Sequence, residues 1–270
     1  METLQKDLSL LFAPPKPFET TLPWAEYEFS RRFYDVVNYW GIPTKQEISF
    51  IESYLKKPAS RILDMACGGG RHAIGLAEKG HKVTAVDIGS FPLEKAKKEA
   101  SEKKLQVNFI CRDITEIEYD RDYDLAFLIC GQLGHFSPEE NRVIFQKASN
   151  ALIKGGIFLI HLWSFNNDDR ANFTHWYREK RPLYLKHPSV VHREQFYFDN
   201  ERVKLIRDFA IDTVTRENRL FSVSEKEYTT HEIRDFAQAG SLDIIAEFGD
   251  FEGSQLDKKS NSRIFILKKQ

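Results

Sequence analysis

Residues 62–72 read ILDMACGGGRH, a short apolar segment that runs into three consecutive glycines. The segment Arg61–Met65 predicts a β-strand, and Arg71–Lys79 predicts a helix that ends at Gly80. A glycine-rich turn between a strand and a helix lets the backbone approach a ligand closely and directs free N–H groups towards it. The segment therefore predicts the first strand–turn–helix unit of a ligand-binding α/β sheet.

The alternation of apolar runs with helical patterns continues through residues 59–163. Ser90 is a predicted N-cap, and Ser137 with Glu140 has the spacing of a capping box. Strands that alternate with helices of this length form right-handed βαβ units, which predicts a parallel sheet with helices on both faces. The further elements are strands Lys82–Val86, Val107–Cys111, Leu125–Cys130 and Ile157–Trp163, and helices Ser90–Lys104 and Ser137–Leu152.

Beyond residue 163 the pattern changes to antiparallel strands. Apolar and polar side chains alternate in two segments, which predicts strands with one face in water, and a third strand is expected to follow them. In the second segment, the predicted apolar face consists of Val203, Leu205, Phe209 and Ile211. The predicted elements are strands Arg193–Asp199, Val203–Ile211 and Arg219–Tyr228, then helix Thr230–Ala239 and strands Leu242–Phe248 and Arg263–Lys268.

We therefore expect a single domain over residues 1–270 with four parts. Residues 1–58 form a helical, aromatic-rich leader, and residues 59–163 form the ligand-binding core. Residues 164–229 form an antiparallel insertion, and residues 230–270 add a helix and the last two strands. Because the leader and the insertion flank the strand ends, we expect both to act as lids.

The composition excludes several classes of protein. Thirty-nine basic and 40 acidic side chains give a net charge of -1, which lacks the basic excess typical of nucleic-acid binding. No segment approaches the roughly 18 apolar residues that span a bilayer. Cys67, Cys111 and Cys130 match neither a disulfide framework nor a zinc site. These features predict a cytoplasmic protein in a reducing environment, without a membrane or metal partner.

An acidic side chain stands at or just beyond the end of each of the first three strands. Asp64 precedes Gly68 by four residues, Asp87 ends the second strand and Asp113 follows the third. A carboxylate at Asp64 would repel a pyrophosphate and attract a cationic ligand, and one at Asp87 suits the two hydroxyls of a ribose. The glycine pattern alone also fits a dinucleotide, so an NAD-dependent oxidoreductase is an alternative.

Together with the Leu152-x-Lys154-Gly155-Gly156 turn, these motifs resemble the class I S-adenosylmethionine-dependent methyltransferases. The resemblance covers residues 59–163 and returns in the last two strands. It implies a Rossmann-like sheet of seven strands, parallel except for one strand near the C-terminus, with helices on both faces. It also implies S-adenosyl-L-methionine as the cofactor and S-adenosyl-L-homocysteine as the product.

The resemblance further implies a set of cofactor-binding residues. The glycine loop would pack against the methionine part, Asp87 would bind the ribose hydroxyls, and Asp113 with the backbone of Ile114 would contact adenine. The implied set is Tyr34, Asp64, Ala66, Cys67, Gly68, Gly70, Arg71, Asp87, Ile88, Asp113, Ile114 and Cys130.

The methyl acceptor is expected beside the cofactor, at the carboxyl ends of the fourth and fifth strands. His135 is a candidate base because imidazole titrates near neutrality. Tyr27, Gln132 and Trp163 are candidate substrate contacts. Two lids favour a small-molecule acceptor, with a nucleic-acid or protein acceptor as the second alternative. The sequence identifies neither the acceptor, nor the methylated atom, nor the oligomeric state.

Overall fold

The structure, a computed structural model, describes residues 13–37, 44–257 and 259–270. The described chain divides into two compact units. The larger unit contains residues 44–164 and 228–270, and the smaller unit combines residues 13–37 with residues 165–227. The N-terminal segment 1–58, expected to be one lid, is therefore divided between the two units.

The larger unit is built on a seven-stranded sheet in the order β10-β11-β5-β4-β1-β2-β3. Only β11 is antiparallel, and it pairs with both β5 and β10. This arrangement confirms the predicted Rossmann-like sheet. The strands are β1 Arg61–Met65, β2 Lys82–Asp87, β3 Val107–Cys111, β4 Tyr123–Leu128, β5 Leu152–Trp163, β10 Leu242–Phe248 and β11 Ser262–Lys269.

Both faces of this sheet are buried. Neighbouring residues such as Ile62 and Leu63, or Phe158 and Leu159, belong to two different apolar clusters on opposite faces. Burial on both faces explains why these strands read as continuous apolar runs. The helices are α1 Tyr27–Val37 in the smaller unit, and α2 Thr44–Glu52, α3 Arg71–Glu78, α4 Ser90–Glu102, α5 Pro138–Ala151 and α6 Thr230–Ala239 in the larger unit.

Two helix starts test the predicted caps. The Ser137 side chain accepts from the Glu140 N–H and the Glu140 side chain accepts from the Ser137 N–H, which confirms the capping box. The prediction for Ser90 was wrong. Ser90 is already the first residue of α4, and its N-cap is Gly89, which has no side chain to offer.

The smaller unit is a four-stranded antiparallel sheet in the order β6-β7-β8-β9. Strand β6 was not predicted, because nearly all of its side chains are exposed and it shows no apolar alternation. Phe29 of α1 packs with Tyr184, Val191 and Phe221 in the apolar core of this unit. The strands are β6 Phe173–Glu179, β7 Ser189–Phe198, β8 Val203–Asp212 and β9 Asn218–Lys226.

The predicted apolar face of β8 was only half right. Val203 and Leu205 are buried, but Phe209 and Ile211 are partly exposed. Arg207 and Asp208 are buried instead, although they lie on opposite faces of the strand. Both faces are therefore covered here, and the polar positions are filled by paired charges.

Candidate active site

The predicted site residues fall into two groups. All of them except Tyr27 and Tyr34 lie in the larger unit, at the carboxyl ends of β1 to β5 or in the loops that follow. Tyr27 and Tyr34 lie on α1 of the smaller unit, and the Tyr27 side chain is exposed. The carboxyl edge of a parallel sheet is where ligands of such folds bind.

The glycine loop after β1 has the strained backbone that its sequence predicts. Gly68 and Gly70 have φ values of 55° and 74°, and Ala66 reaches 59° without being a glycine. A Cβ on Gly70 would lie 2.9 Å from the Cβ of Ala96, so only glycine lets α3 begin this close to α4. The Cys67 N–H donates to the Val86 carbonyl at 2.8 Å and ties the loop to β2.

Asp87 organises this loop from the end of β2. Its Oδ2 accepts from the Gly68 N–H at 2.7 Å, and its Oδ1 accepts from the Gly89 N–H at 2.8 Å. Burial raises the pKa of Asp87 above its usual value, although these backbone bonds act against the shift. Each carboxylate oxygen retains a second lone pair, which suits the two hydroxyls of a ribose.

Asp64 lies beneath the loop with its side chain buried. Among the described residues, its Oδ2 has no hydrogen-bond partner. Burial, and then the neighbouring Asp87, raise the pKa of Asp64 well above its usual value. An unpartnered carboxyl oxygen beside a second acid fits the sulfonium and ammonium groups of S-adenosylmethionine better than a pyrophosphate.

The predicted adenine contacts, Asp113 and Ile114, lie after β3. Asp113 Oδ1 accepts from the N–H and the hydroxyl of Thr115, at 2.8 and 2.7 Å. The Ile114 side chain is buried in the core, so only its backbone can meet a ligand. Ile88 is 40% exposed, which gives the site an apolar side chain beside the end of β2.

Arg71 begins α3 and contacts two elements that flank the loop. Its Nη1 donates to Thr44 Oγ1 at 2.9 Å and to the Glu47 carboxylate, and its Nη2 donates to Cys130 Sγ at 3.1 Å. Sequence reasoning missed Thr44 and Glu47, because it treated residues 1–58 only as a helical lid. The available signal was an acid beside the apolar positions Ile48 and Ile51 of a short helix.

The end of β4 shows a second strained turn. Cys130 has a φ of 64° and Gly131 a φ of 71°. The Cys130 N–H donates to Nδ1 of buried His161 at 3.0 Å, and burial lowers the pKa of His161 to about 4. Ala66 and Cys130 are thus left-handed non-glycine residues at the ends of neighbouring strands, and such strain is concentrated at functional sites.

Trp163 forms a wall at the carboxyl end of β5. Its indole ring is 46% exposed and lies over Gly131, where any Cβ would overlap the ring. The His161 ring meets it edge-on, with centroids 4.5 Å apart. Gln132 begins and His135 ends the following short 3₁₀ helix, and both are partly buried. The structure therefore brings Cys130, Gln132, His135 and Trp163 to one edge of the sheet.

Comparisons with known proteins agree with this arrangement. Residues 62–156 match the family model described as a methyltransferase domain. A protein of Geobacillus sp. (strain WCH70) named as a methyltransferase is 27% identical over 82% of this chain and 88% of its own. The crystal structure of an S-adenosylmethionine-dependent methyltransferase from Clostridium acetobutylicum superposes with a TM-score of 0.70 at 19% identity, over 88% of this chain and 98% of that one.

A further relative matches only in part. The ubiquinone biosynthesis O-methyltransferase of Coxiella burnetii is 33% identical over 40% of this chain, and the match spans 45% of that enzyme. The chain thus covers about half the length of this relative. None of the helices among residues 13–37, 44–257 and 259–270 is long and apolar enough to cross a membrane.

Proposed function

The chain is a class I S-adenosylmethionine-dependent methyltransferase, and on this premise we propose that its acceptor is a small molecule bound at the carboxyl ends of β4 and β5. The exposed indole of Trp163 carries the proposal, because it presents a flat apolar surface beside the strained turn at Cys130. Such a surface suits a planar or apolar group better than a phosphate backbone. The ubiquinone biosynthesis relative supports a small acceptor.

The residues that would hold the cofactor are those of the glycine loop, with Asp64, Asp87 and Asp113. When bound, S-adenosylmethionine supplies a methyl group that its sulfonium already activates. The protein then has to align the acceptor atom with that methyl group and keep water away. In this proposal Trp163 and Gln132 orient the acceptor, and His135 removes a proton where the acceptor atom carries one.

The predicted contacts of Tyr34 with the cofactor and of Tyr27 with the substrate also belong to this proposal, as does a reducing, cytoplasmic setting. The setting is supported by three cysteines, Cys67, Cys111 and Cys130, that form no disulfide.

The test is transfer of a labelled methyl group to separate pools of phenols, amines and heterocycles, and to RNA, DNA and protein. We expect transfer to a member of the small-molecule pools. Trp163→Ala should then lower turnover by about tenfold or more, because the acceptor loses its wall, with the Kd for S-adenosylhomocysteine nearly unchanged.

The matched control is Trp176→Ala, which removes another exposed tryptophan, on β6 of the smaller unit. Its turnover should equal that of the unchanged enzyme. Transfer only to a nucleic-acid or protein pool would overturn the small-molecule proposal. A Trp163→Ala enzyme with full turnover would remove Trp163 from the acceptor site.

A further inference from the structure

Helix α2 lies alongside α3 and runs in the same direction. Thr44 at its start contacts Arg71 at the start of α3, and Ile48 in its middle contacts Gly75 in the middle of α3. Glu52 at its end contacts Lys79, just beyond the end of α3. Ile48 occupies the space that a Cβ on Gly75 would need, and Ile51 is fully buried. The close fit at Gly75 fixes how far α2 can slide, and it therefore fixes where each glutamate carboxylate lies.

Glu47 lies at the first turn of α3, directly behind the glycine loop. Its side chain is 6% exposed, and its carboxylate accepts from the Arg71 guanidinium and from His72 Nε2, the latter at 2.9 Å. A buried carboxylate held by two donors has little freedom to turn. Glu47 is thus a fixed anchor for the first two residues of α3.

Arg71 is held on one side and open on the other. Its Nη1 is engaged by Thr44 and Glu47, and one Nη2 hydrogen is engaged by Cys130. Among the described residues, nothing accepts from its Nε or from the second Nη2 hydrogen, and its side chain is 28% exposed. These are neighbouring donors of the guanidinium fork, the geometry that binds a carboxylate through two parallel hydrogen bonds.

We propose that Glu47 is a positioning residue that holds Arg71 so that its open edge, Nε and Nη2, meets the carboxylate of the cofactor. The proposal rests on the predicted role of Arg71 in the cofactor site. Glu47 acts through Arg71 and touches no ligand itself. It lies outside residues 62–156, the part of the chain that matches the methyltransferase family model.

The charges around Arg71 agree with this role. Burial acts to raise the pKa of Glu47, but the bonds and charges of His72 and Arg71 outweigh it and lower that pKa to about 2. Burial lowers the pKa of His72, although its bond to Glu47 acts against the shift. Arg71 and Glu47 together therefore carry no net charge. The cofactor carboxylate would be bound mainly by the two hydrogen bonds from Nε and Nη2 of Arg71, and less by a net positive charge.

The test is a double-mutant cycle read by calorimetry with S-adenosylhomocysteine on the full chain. We expect Arg71→Ala to raise the Kd by about tenfold or more, and Glu47→Gln to raise it by about fivefold to tenfold. In the Arg71→Ala background, Glu47→Gln should add nothing, because the residue through which it acts is gone.

Glu52→Gln is the matched control on the same helix. Glu52 binds Lys79 at 2.7 Å, at the opposite end of α3 from the loop, so its removal should leave the Kd within about twofold. Thermal unfolding of each variant separates a loss of stability from a loss of binding. Thr44→Val provides a second variant if Glu47→Gln does not fold, with a smaller loss that also disappears in the Arg71→Ala background.

Three results would overturn the inference. Additive effects of Glu47→Gln and Arg71→Ala would show that Glu47 does not act through Arg71. An unchanged Kd for Glu47→Gln would show that Arg71 needs no anchor. An unchanged Kd for Arg71→Ala would remove Arg71 from the cofactor site and this inference with it, and the methyltransferase assignment would still stand.

Discussion

The two units of the chain use buried charge in opposite ways. The larger unit leaves polar atoms without partners at one edge of its sheet, namely Asp64 Oδ2 and the open edge of Arg71. The smaller unit pairs its buried charges with each other, as in Arg207 with Glu19 and Arg193 with Asp208. Burial of a charged side chain therefore does not by itself indicate a binding site. Unpartnered atoms also occur elsewhere, such as Arg32 Nε in the smaller unit, so it is the position of Asp64 beside Asp87 and the glycine loop that marks the site.

The pairing in the smaller unit is complete around Asp208. Arg193 donates to both oxygens of its carboxylate, at 2.7 and 2.6 Å, and the Tyr184 hydroxyl donates to the same group at 2.5 Å. Burial and the Asp208 charge raise the pKa of Tyr184 far above its usual value, so the hydroxyl keeps its proton. Both oxygens of the carboxylate therefore accept hydrogen bonds from within the smaller unit, and Asp208 supports the fold.

The largest effect is expected from breaking the pair between Arg207 and Glu19. Arg207 is 2% exposed, so Arg207→Ala should leave Glu19 poorly compensated and destabilise the smaller unit by about 3 kcal/mol. Hydrogen exchange should show lost protection in β7 to β9 and unchanged protection in β1, β2 and β4. Arg219→Ala is the control, since its exposed pair with Glu26 should contribute under about 1 kcal/mol. Equal losses of protection in both units would contradict the prediction that the damage stays in the smaller unit.

The next effect concerns pH and the larger unit. His161 has a pKa of about 4 in the folded chain and about 6.5 unfolded, so the unfolded chain binds the proton more tightly. Its contribution to stability is present above pH 6.5 and is lost as the pH falls through 4, by about 3 kcal/mol in total.

Urea unfolding of the unchanged protein and of His161→Gln, compared from pH 7 to pH 4, measures this contribution. The difference in unfolding free energy between the two should shrink over that interval as the pH falls. Glu47 titrates at lower pH, because its pKa is about 2 in the folded chain. Its contribution to stability is therefore lost between about pH 4.5 and 2. A constant difference between pH 7 and pH 4 would show that His161 is not the titrating group.

A smaller effect is expected for Asp87→Ala, which tests the cofactor site at the carboxyl ends of the strands in the larger unit. It removes the acceptor for the ribose hydroxyls and for the N–H groups of Gly68 and Gly89. The binding free energy of S-adenosylhomocysteine should weaken by about 1.5–3 kcal/mol, which raises the Kd roughly tenfold to a hundredfold. Calorimetry measures it directly. An unchanged Kd would mean that Asp87 only shapes the loop.

The smallest effect is expected for Asp113→Ala, at about 1 kcal/mol of cofactor affinity. One of its oxygens already binds Thr115, so the substitution removes a single bond to adenine and leaves the ring contacts in place. Thr115→Val is the control, since it keeps the backbone N–H and should change the Kd by less than Asp113→Ala. A loss for Asp113→Ala as large as that for Asp87→Ala would contradict the assigned contacts.

The sequence predicted the larger unit well because its signals are local. Asp64, the glycines and Asp87 lie within 24 residues, and the central strands contain short apolar runs. The smaller unit depends on contacts that no local pattern contains. Arg207 of β8 is buried by its pair with Glu19, 188 residues away, and no local pattern indicates a buried charge there.

The site shows the same division. Asp87 and Gly70 stand in a recognisable motif, whereas Glu47 contacts Arg71 from a helix whose polar residues form no motif. Residues 1–58 were predicted to act only as a lid, but part of this segment belongs to the smaller unit. Glu19 and Phe29 belong to the smaller unit, so deletion of residues 1–40 would damage that unit as well as any lid. The lid function remains a prediction, and a point variant at Tyr27 or Tyr34 tests it better than truncation.

The joining of residues 13–37 to residues 165–227 has a consequence for synthesis on the ribosome. Thr21 donates its N–H to the Ser222 carbonyl, 201 residues later in the chain. The leader is made first, yet β9, its partner, is made only near the end, while β1 to β4 emerge much earlier. The nascent chain therefore carries the aromatic side of α1 without its full cover until β9 emerges, and apolar surface exposed in this way favours aggregation before folding is complete.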